Sequence, residues 1–308
     1  MKTLRTLAWI TAAFAYTIIV LGFVVRITGS GMGCGDDWPL CNGRVLPAFD
    51  SAKTVIEFAH RLAVLGLTAL TLALAAHAYK LRGAPGGSGP GGTLRPAALA
   101  VLLLVVQSLL GAVTVKLELP PHTVVLHLGA GLTLLATLVV LGLRAGVHGG
   151  MMEPPPGIAI GRGGIIGATV LAGAVILLGG MVATTGAAPA CQGFPLCNGQ
   201  FWPTATASGL PHIHWTHRLL AYALFFHLIG LGLGLRRKQV AARIQEAGWV
   251  VVGLGVAQVV VGAVMVLSLL MPVWRGVHAA LGTALWVALV YLVWLAPKAP
   301  TGTAGTPN

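Results

Sequence analysis

Charged residues are scarce in this chain of 308 residues. They make up 8% of it, hydrophobic residues make up 56%, and the mean hydropathy is +0.87. A soluble globular domain carries roughly a quarter charged residues. The composition therefore excludes a soluble domain and predicts an integral membrane protein.

Acidic residues are the scarcest charged class, with 7 Asp and Glu against 19 Lys and Arg. The resulting net charge of +12 can indicate a partner of opposite charge. Here the basic residues form short clusters between apolar runs. This placement indicates that they set the orientation in the membrane and contact anionic lipid, and it argues against binding of nucleic acid.

Long apolar runs are abundant. Eight of them reach the roughly 20 residues that a helix needs to cross a bilayer. They lie near residues 7–26, 58–79, 96–115, 123–143, 163–185, 215–235, 247–270 and 276–296. The first run is too long for the apolar part of a cleaved signal peptide, so we expect it to be a span.

One pattern occurs twice, at residues 22–131 and 179–282. Scarce residue types match in register, with an offset of 156–157 in the first part and 151 in the last. The matches include Cys34 with Cys191, Pro39–Gly43 with Pro195–Gly199, His60–Leu62 with His217–Leu219, Gln107 with Gln258, and His127 with His278. Such an internal duplication predicts two structural repeats.

Each repeat holds four spans, an even number, so both repeats share one orientation. The prediction is an all-α membrane protein built from two parallel four-helix bundles, related by a pseudo-twofold axis along the membrane normal. The expected divisions are an N-terminal repeat (1–145), a linker (146–162), a C-terminal repeat (163–297) and a short tail (298–308).

The basic residues set the orientation. With both termini cytoplasmic, twelve Lys and Arg lie inside and seven outside, as the positive-inside rule requires. The inner set is Lys2, Arg5, Lys80, Arg82, Arg95, Arg144, Arg162, Arg236, Arg237, Lys238, Arg243 and Lys298. The outer set is Arg26, Arg44, Lys53, Arg61, Lys116, Arg218 and Arg275.

All four cysteines fall in outer loops, on the oxidising side. We expect one disulfide per repeat, Cys34–Cys41 and Cys191–Cys197. Free thiols and a shared metal site are the alternatives, although zinc thiolate sites usually show two-residue spacing. A pair that exchanges electrons with an outside thiol partner is a further alternative.

Four of the ten histidines occupy matched positions: His60, His127, His217 and His278. Each lies at the outer end of an even-numbered span, where a histidine is costly and usually functional. Two imidazoles from two helices of one bundle can ligate a haem iron axially. The sequence therefore predicts two haem sites toward the outer face. It contains no C-x-x-C-H motif, so it does not indicate covalent attachment of the haem.

Residues next to these histidines fit a haem. Arg61, Arg218 and Arg275 are placed to pair with haem propionates. Gly131 and Gly282 follow their histidines by four residues and leave space on the same helix face. Close helix packing is the alternative role of these glycines.

Glu57 precedes His60 by three residues, and its counterpart in the second repeat is His214. A carboxylate at the mouth of a haem pocket can relay protons or stabilise developing positive charge. This favours the first repeat as the reactive site and the second as an electron-handling or structural site. The alternative is that Glu57 is an acid at the membrane interface that pairs with Arg61 or Arg26.

In combination these motifs resemble the bacterial haem A synthases, which oxidise haem O to haem A for cytochrome oxidase. The resemblance covers nearly the whole chain. It comprises the two cysteine loops, Glu57–Arg61, Leu126–His127, Thr216–Arg218 and Val277–His278.

The resemblance implies that His60 and His127 ligate the substrate haem, that His217 and His278 ligate a haem b, and that Glu57 is catalytic. His214 is an alternative ligand to His217. The implied reaction takes the C8 methyl of haem O through an alcohol to a formyl group. The resemblance also implies a location in the plasma membrane and a role in cytochrome oxidase assembly. The implied partners are a haem O synthase and an electron-transfer partner, and a homo-oligomer is left open.

Two other functions remain. A di-haem b-type electron-transfer cytochrome, similar to a quinol oxidoreductase subunit, explains the four histidines and the duplication. It does not explain why Glu57 occurs in one repeat only, nor the two cysteine loops. A transporter with parallel repeats would need polar residues near the bilayer midplane, and the spans hold few.

Overall fold

The computed structural model describes residues 1–156, 158, 161–204, 206 and 208–296. Its eight α-helices are α1 (Lys2–Ile27), α2 (Ala52–Lys80), α3 (Leu94–Lys116), α4 (Pro121–His148), α5 (Arg162–Thr184), α6 (Leu210–Arg237), α7 (Ala242–Leu267) and α8 (Pro272–Leu295). All eight are long and apolar enough to cross a membrane, which confirms the prediction of an all-helical protein with eight spans. The predicted tail 298–308, with Lys298, lies outside the described residues, as do 157, 159 and 160 of the predicted linker.

The helices begin earlier than the apolar runs. Helix α2 starts at Ala52 because the hydroxyl of Ser51 caps it, accepting bonds from the N–H groups two and three residues later. Helices α4, α6 and α8 each carry a proline in the first turn, where its missing N–H costs nothing: Pro121, Pro211 and Pro272. Hydropathy detects only the apolar middle of each helix, so it misses these polar first turns.

Each half of the chain packs as a ring of four helices. In the first half, α2 contacts α1 and α3, and α4 contacts the same two helices, so α2 and α4 lie diagonally across the ring. In the second half, α6 and α8 are related in the same way through α5 and α7. A hydrophobic core fills each half, and the core of the first half also includes Val290 of α8. The pseudo-twofold axis and the domain boundaries remain predictions.

The two halves meet along α1, α4, α5 and α8. Among the described residues, hydrogen bonds that cross this contact run from Tyr16 Oη to Ala280 O (2.9 Å), from Trp286 Nε1 to Leu132 O (3.0 Å), and from Arg26 Nη2 to Ala183 O (2.9 Å) and Thr184 O (3.5 Å). Polar groups at membrane depth need such internal partners because lipid offers none.

Candidate functional site: paired histidines beneath two disulfide loops

The two cysteine pairs form disulfides, Cys34–Cys41 and Cys191–Cys197, as predicted. They close loops with sequence separations of 7 and 6 residues. All four sulfur-bearing side chains are buried. Each loop is therefore a compact unit at one end of its own half, between the first two helices of that half.

An Asn-Gly turn shapes each loop. Asn42 and Gly43 have φ angles of 52° and 74°, and Cys41 and Arg44 exchange backbone hydrogen bonds of 2.8 and 3.1 Å around them. Asn198 and Gly199 repeat these angles, at 52° and 75°. Positive φ at both central residues is what a type I′ turn requires, and Asn-Gly tolerates it best. This explains the repetition of Asn-Gly in the sequence.

Glu57 and Arg61 fasten the first loop to α2. The Glu57 carboxylate accepts a bond from the Cys34 N–H (2.9 Å) and an ion-paired bond from Arg61 Nη2 (2.6 Å). Arg61 Nη1 also donates to the carbonyls of Asp37 (2.9 Å) and Leu40 (2.5 Å). The carboxylate is thus paired with Arg61, as the interfacial alternative expected, and it also holds the disulfide loop.

Arg218 fastens the second loop in the equivalent way. Its Nη1 donates to the carbonyls of Gly193 (2.8 Å) and Leu196 (2.7 Å), and its Nη2 donates to Cys191 O (2.5 Å). Its Nε donates to His214 Nε2 (3.3 Å), where the first half has the Glu57 carboxylate. The two loop anchors therefore differ by one negative charge.

This geometry gives Arg61 and Arg218 a role that the sequence did not suggest. Each arginine makes four hydrogen bonds, to loop carbonyls and to the side chain one turn before it, Glu57 or His214, which leaves little capacity for haem propionates. Arg275 is half-buried and lies within electrostatic range of Arg26. Backbone carbonyls carry no sequence signature, so only the folded loop reveals these bonds.

We expect Arg61→Ala to destabilise the protein by about 3 kcal/mol, because it leaves the buried Glu57 carboxylate without its partner. The side chains of Arg61 and Glu57 are only 15% and 5% exposed. Unfolding in a mixed-detergent titration measures the change. The double variant Glu57→Gln/Arg61→Ala should recover part of the loss, and no recovery would contradict this explanation.

Each matched histidine packs against a glycine of the preceding helix. An added Cβ would lie 3.0–3.4 Å from the histidine Cε1 in the pairs Gly22–His60, Gly111–His127, Gly179–His217 and Gly262–His278. An added Cβ at Gly111, Gly179 or Gly262 would require the imidazole to shift by a few tenths of an ångström, whereas at Gly22 it would make ordinary contact. Gly131 and Gly282, predicted to clear space beside the histidines, instead face the side-chain amides of Gln107 and Gln258, at 3.3 and 3.2 Å.

The histidines form two pairs. His60 and His127 lie in the first three turns of α2 and α4, and His217 and His278 lie in the first three turns of α6 and α8. Because α2 and α4 are diagonal, as are α6 and α8, the two members of each pair lie on opposite helices of one ring. The structure therefore brings together the residues that the sequence predicted as partners.

Each of the four rings keeps one nitrogen without a hydrogen-bond partner in the part of the chain described, although Nε2 of His127 and of His278 contacts a glutamine amide. Nδ1 of His217 bonds the carbonyl of Val175 (3.1 Å), which leaves the Nε2 lone pair free. Nδ1 of His60, of His127 and of His278 is buried and has no hydrogen-bond partner in the part of the chain described. Buried polar atoms seldom lack partners, so these rings fit a site that binds a metal-bearing group.

The hydrogen bonds of His214 exclude it as a ligand of a metal-bearing group. Its Nδ1 bonds the carbonyl of Ala187 (3.1 Å), and its Nε2 accepts the bond from Arg218. With both nitrogens engaged, it cannot ligate without breaking the loop anchor. The geometry thus favours His217, as the repeat register did.

Gln107 and Gln258 are site residues to which the sequence assigned no role. Their amide nitrogens lie 3.1 and 3.3 Å from Nε2 of His127 and His278. Each amide rests on the glycine one turn after its histidine, Gly131 or Gly282. Their match in register between the repeats was the signal that could have identified them.

The model of the COX15-CtaA family, described as cytochrome oxidase assembly protein, matches residues 5–290. This chain belongs to that family. Its paired histidines and disulfide loops lie within the matched residues, as do all of α2 to α7 and most of α1 and α8.

Relatives named heme A synthase are similar over part of their length. The protein of Bacillus licheniformis is 36% identical over 142 residues, covering 46% of this chain and 45% of the relative. That of Halalkalibacterium halodurans is 33% identical over 162 residues, covering 53% and 52%. That of Alkalihalophilus pseudofirmus is 36% identical over 149 residues, covering 47% of each. The chain thus spans about half the length of the curated relatives it matches.

Proposed function

We propose that this protein is a haem A synthase, an oxidoreductase that converts the C8 methyl of haem O into the formyl group of haem A. The observation that carries the proposal is two equivalent histidine pairs, of which only the first lies beside a buried carboxylate. Membership of a cytochrome oxidase assembly family and the names of the relatives support the same reaction.

In this proposal the first half holds the substrate. His60 and His127 ligate the iron of haem O, and the farnesyl tail lies in the apolar surroundings of the helices. Gly22 and Gly111 set the positions of the two imidazoles. Oxidation through an alcohol to the aldehyde would add the oxygen of one water in the first stage, and each stage would release two protons and two electrons, the electrons to an external acceptor.

Glu57 is the group best placed to act on those protons. It is 4% exposed and lies one helical turn from His60. Its bonds to Cys34 and Arg61 fix the position of the carboxylate, so it need not reorganise during the reaction. The second half offers neutral His214 at this position, which favours the first half as the reactive one.

The second half fits a resident haem b. His217 and His278 would hold it, with the Nδ1 bond from His217 to Val175 orienting one ring. When bound, such a haem supplies one-electron transfer, while the protein supplies ligation and electrostatics. Arg275, with Arg26 nearby, remains a candidate partner for its propionates.

We also propose that the protein lies in the plasma membrane with both termini cytoplasmic and both sites toward the outer face. The positive-inside distribution supports this orientation. So does the presence of both disulfides at one end of the bundle, where an oxidising compartment preserves them.

Haem extraction tests the proposal. The protein, co-produced with a haem O synthase, should yield haem A or its alcohol intermediate beside haem B, identified by mass spectrometry. Without the haem O synthase it should yield haem B alone. Haem B alone in both preparations would replace the proposal with a di-haem electron-transfer cytochrome.

A further inference from the structure

Gln107 and Gln258 each engage a histidine nitrogen that could otherwise bind a metal. The amide nitrogen of Gln107 lies 3.1 Å from Nε2 of His127, and that of Gln258 lies 3.3 Å from Nε2 of His278. An imidazole nitrogen has one bonding position outside its ring, which holds either a proton or a lone pair. An Nε2 that is hydrogen-bonded to glutamine therefore cannot ligate iron at the same time.

The other ring nitrogen of these two histidines faces a helix backbone. A Cβ added at Gly111 would lie 3.2 Å from Cε1 and 3.7 Å from Nδ1 of His127. One added at Gly262 would lie 3.2 and 3.5 Å from the same atoms of His278. The Nδ1 edge thus packs against α3 or α7, which leaves no room there for a planar macrocycle. Iron can reach these two rings only through Nε2.

The partner histidines, His60 and His217, differ in this respect. No described residue is hydrogen-bonded to Nε2 of either ring. In His217 the Nδ1 bond to the carbonyl of Val175 (3.1 Å) orients the ring and leaves Nε2 for a metal. Each pair thus combines a histidine whose Nε2 is free, on α2 or α6, with one whose Nε2 is bonded to glutamine, on α4 or α8.

Both glutamines are placed specifically for this contact. A Cβ added at Gly131 or Gly282 would lie 3.3 or 3.2 Å from the amide nitrogen, so a larger residue there would displace the amide. The carbonyl oxygens of Gln107 and Gln258 are buried and have no hydrogen-bond partner within the described ranges. The contact with the imidazole is therefore what positions each amide, and it occurs identically in both halves.

We propose that Gln107 and Gln258 bind the exchangeable histidine of each pair, His127 or His278, when its imidazole leaves the iron. His60 and His217 are then the permanent ligands. A buried imidazole without a partner is costly, and lipid offers it none, so an amide at its Nε2 stabilises the displaced position. In the first half this allows His127 to release product and accept substrate. The inference rests on the proposed function and identifies which ligand of each site exchanges.

Carbon monoxide binding tests the inference at the second site, in full-length protein with reduced haem b bound. A His127→Ala background removes the first site from the signal. Carbon monoxide binds a haem with two axial histidines only after one of them leaves the iron. Because Gln258 stabilises the displaced His278 by one hydrogen bond, we expect Gln258→Leu to weaken carbon monoxide binding about fivefold in an optical titration.

Two further variants extend the test. Gln258→Asn keeps an amide on a side chain that is one methylene shorter, so it should lose the contact with His278 and weaken binding in the same way. Gln107→Leu, in a His278→Ala background with haem O bound, should have the same effect at the first site.

Gln245→Leu is the matched control. Gln245 also lies on α7, roughly 20 Å along the helix from Gln258. Its amide bonds the carbonyl of Val240 (2.7 Å), so the affinity for carbon monoxide should not change.

Three results would contradict the inference. An unchanged affinity in both Gln258→Leu and Gln258→Asn would overturn it and leave the proposed function intact. Tighter binding would do the same, because it would show that glutamine stabilises the imidazole on the iron. A His278→Ala protein that retains the wild-type haem b spectrum would overturn the inference together with the ligand assignment of the proposed function.

Discussion

Replacing Glu57 with glutamine is expected to lower haem A formation at least 100-fold while both haem sites remain filled. A positioned proton acceptor contributes roughly 10²–10⁴-fold to a rate. Glutamine keeps an oxygen that can accept the Cys34 N–H, so the loop retains that anchor. The ratio of haem A to haem O in extracts, measured by mass spectrometry, reports the loss.

Asp50→Asn is the matched control for this experiment. Asp50 is an exposed acid that ends the same loop just before α2, and its substitution should leave the yield unchanged. A Glu57→Gln protein with full haem A yield would show that the carboxylate serves only to hold the loop.

Replacing His217 with alanine is expected to remove haem b, whereas replacing His214 should not. His217 uses only Nδ1 in a hydrogen bond within the described residues, but both nitrogens of His214 are bonded, to Ala187 and Arg218. Loss of one axial ligand abolishes the low-spin spectrum of a bis-histidine haem. The reduced-minus-oxidised difference spectrum of each purified variant measures the effect.

The two variants also separate ligation from loop support. His214→Ala removes the neutral partner of Arg218 and should lower the unfolding midpoint while sparing the spectrum. Loss of haem b from His214→Ala with retention in His217→Ala would reverse the assignment of the ligand.

Much of the site could be predicted from the sequence because duplication exposes it. A histidine or cysteine that recurs in register among abundant Leu, Ala and Val indicates a retained role. An apolar segment of about 20 residues in a bilayer can adopt few structures other than a helix, because its backbone groups need internal partners. The spans and the disulfides of Cys34–Cys41 and Cys191–Cys197 followed from such local rules and are confirmed. The assignment of His60, His127, His217 and His278 as ligands remains a prediction.

The sequence by itself determined that the helices are apolar enough to lie in a membrane, how many helices there are, how the cysteines pair, and that the chain contains an internal repeat. Hydrophobicity and the spacing of residues within a loop are properties of short stretches of chain, so they can be assessed without coordinates. The tertiary structure alone decided that Arg61 and Arg218 hold the loops and that Gln107 and Gln258 meet the histidines. It also decided which glycine lies under which imidazole. These contacts join residues from different segments, often through backbone carbonyls, and their partners are fixed only when the helices pack.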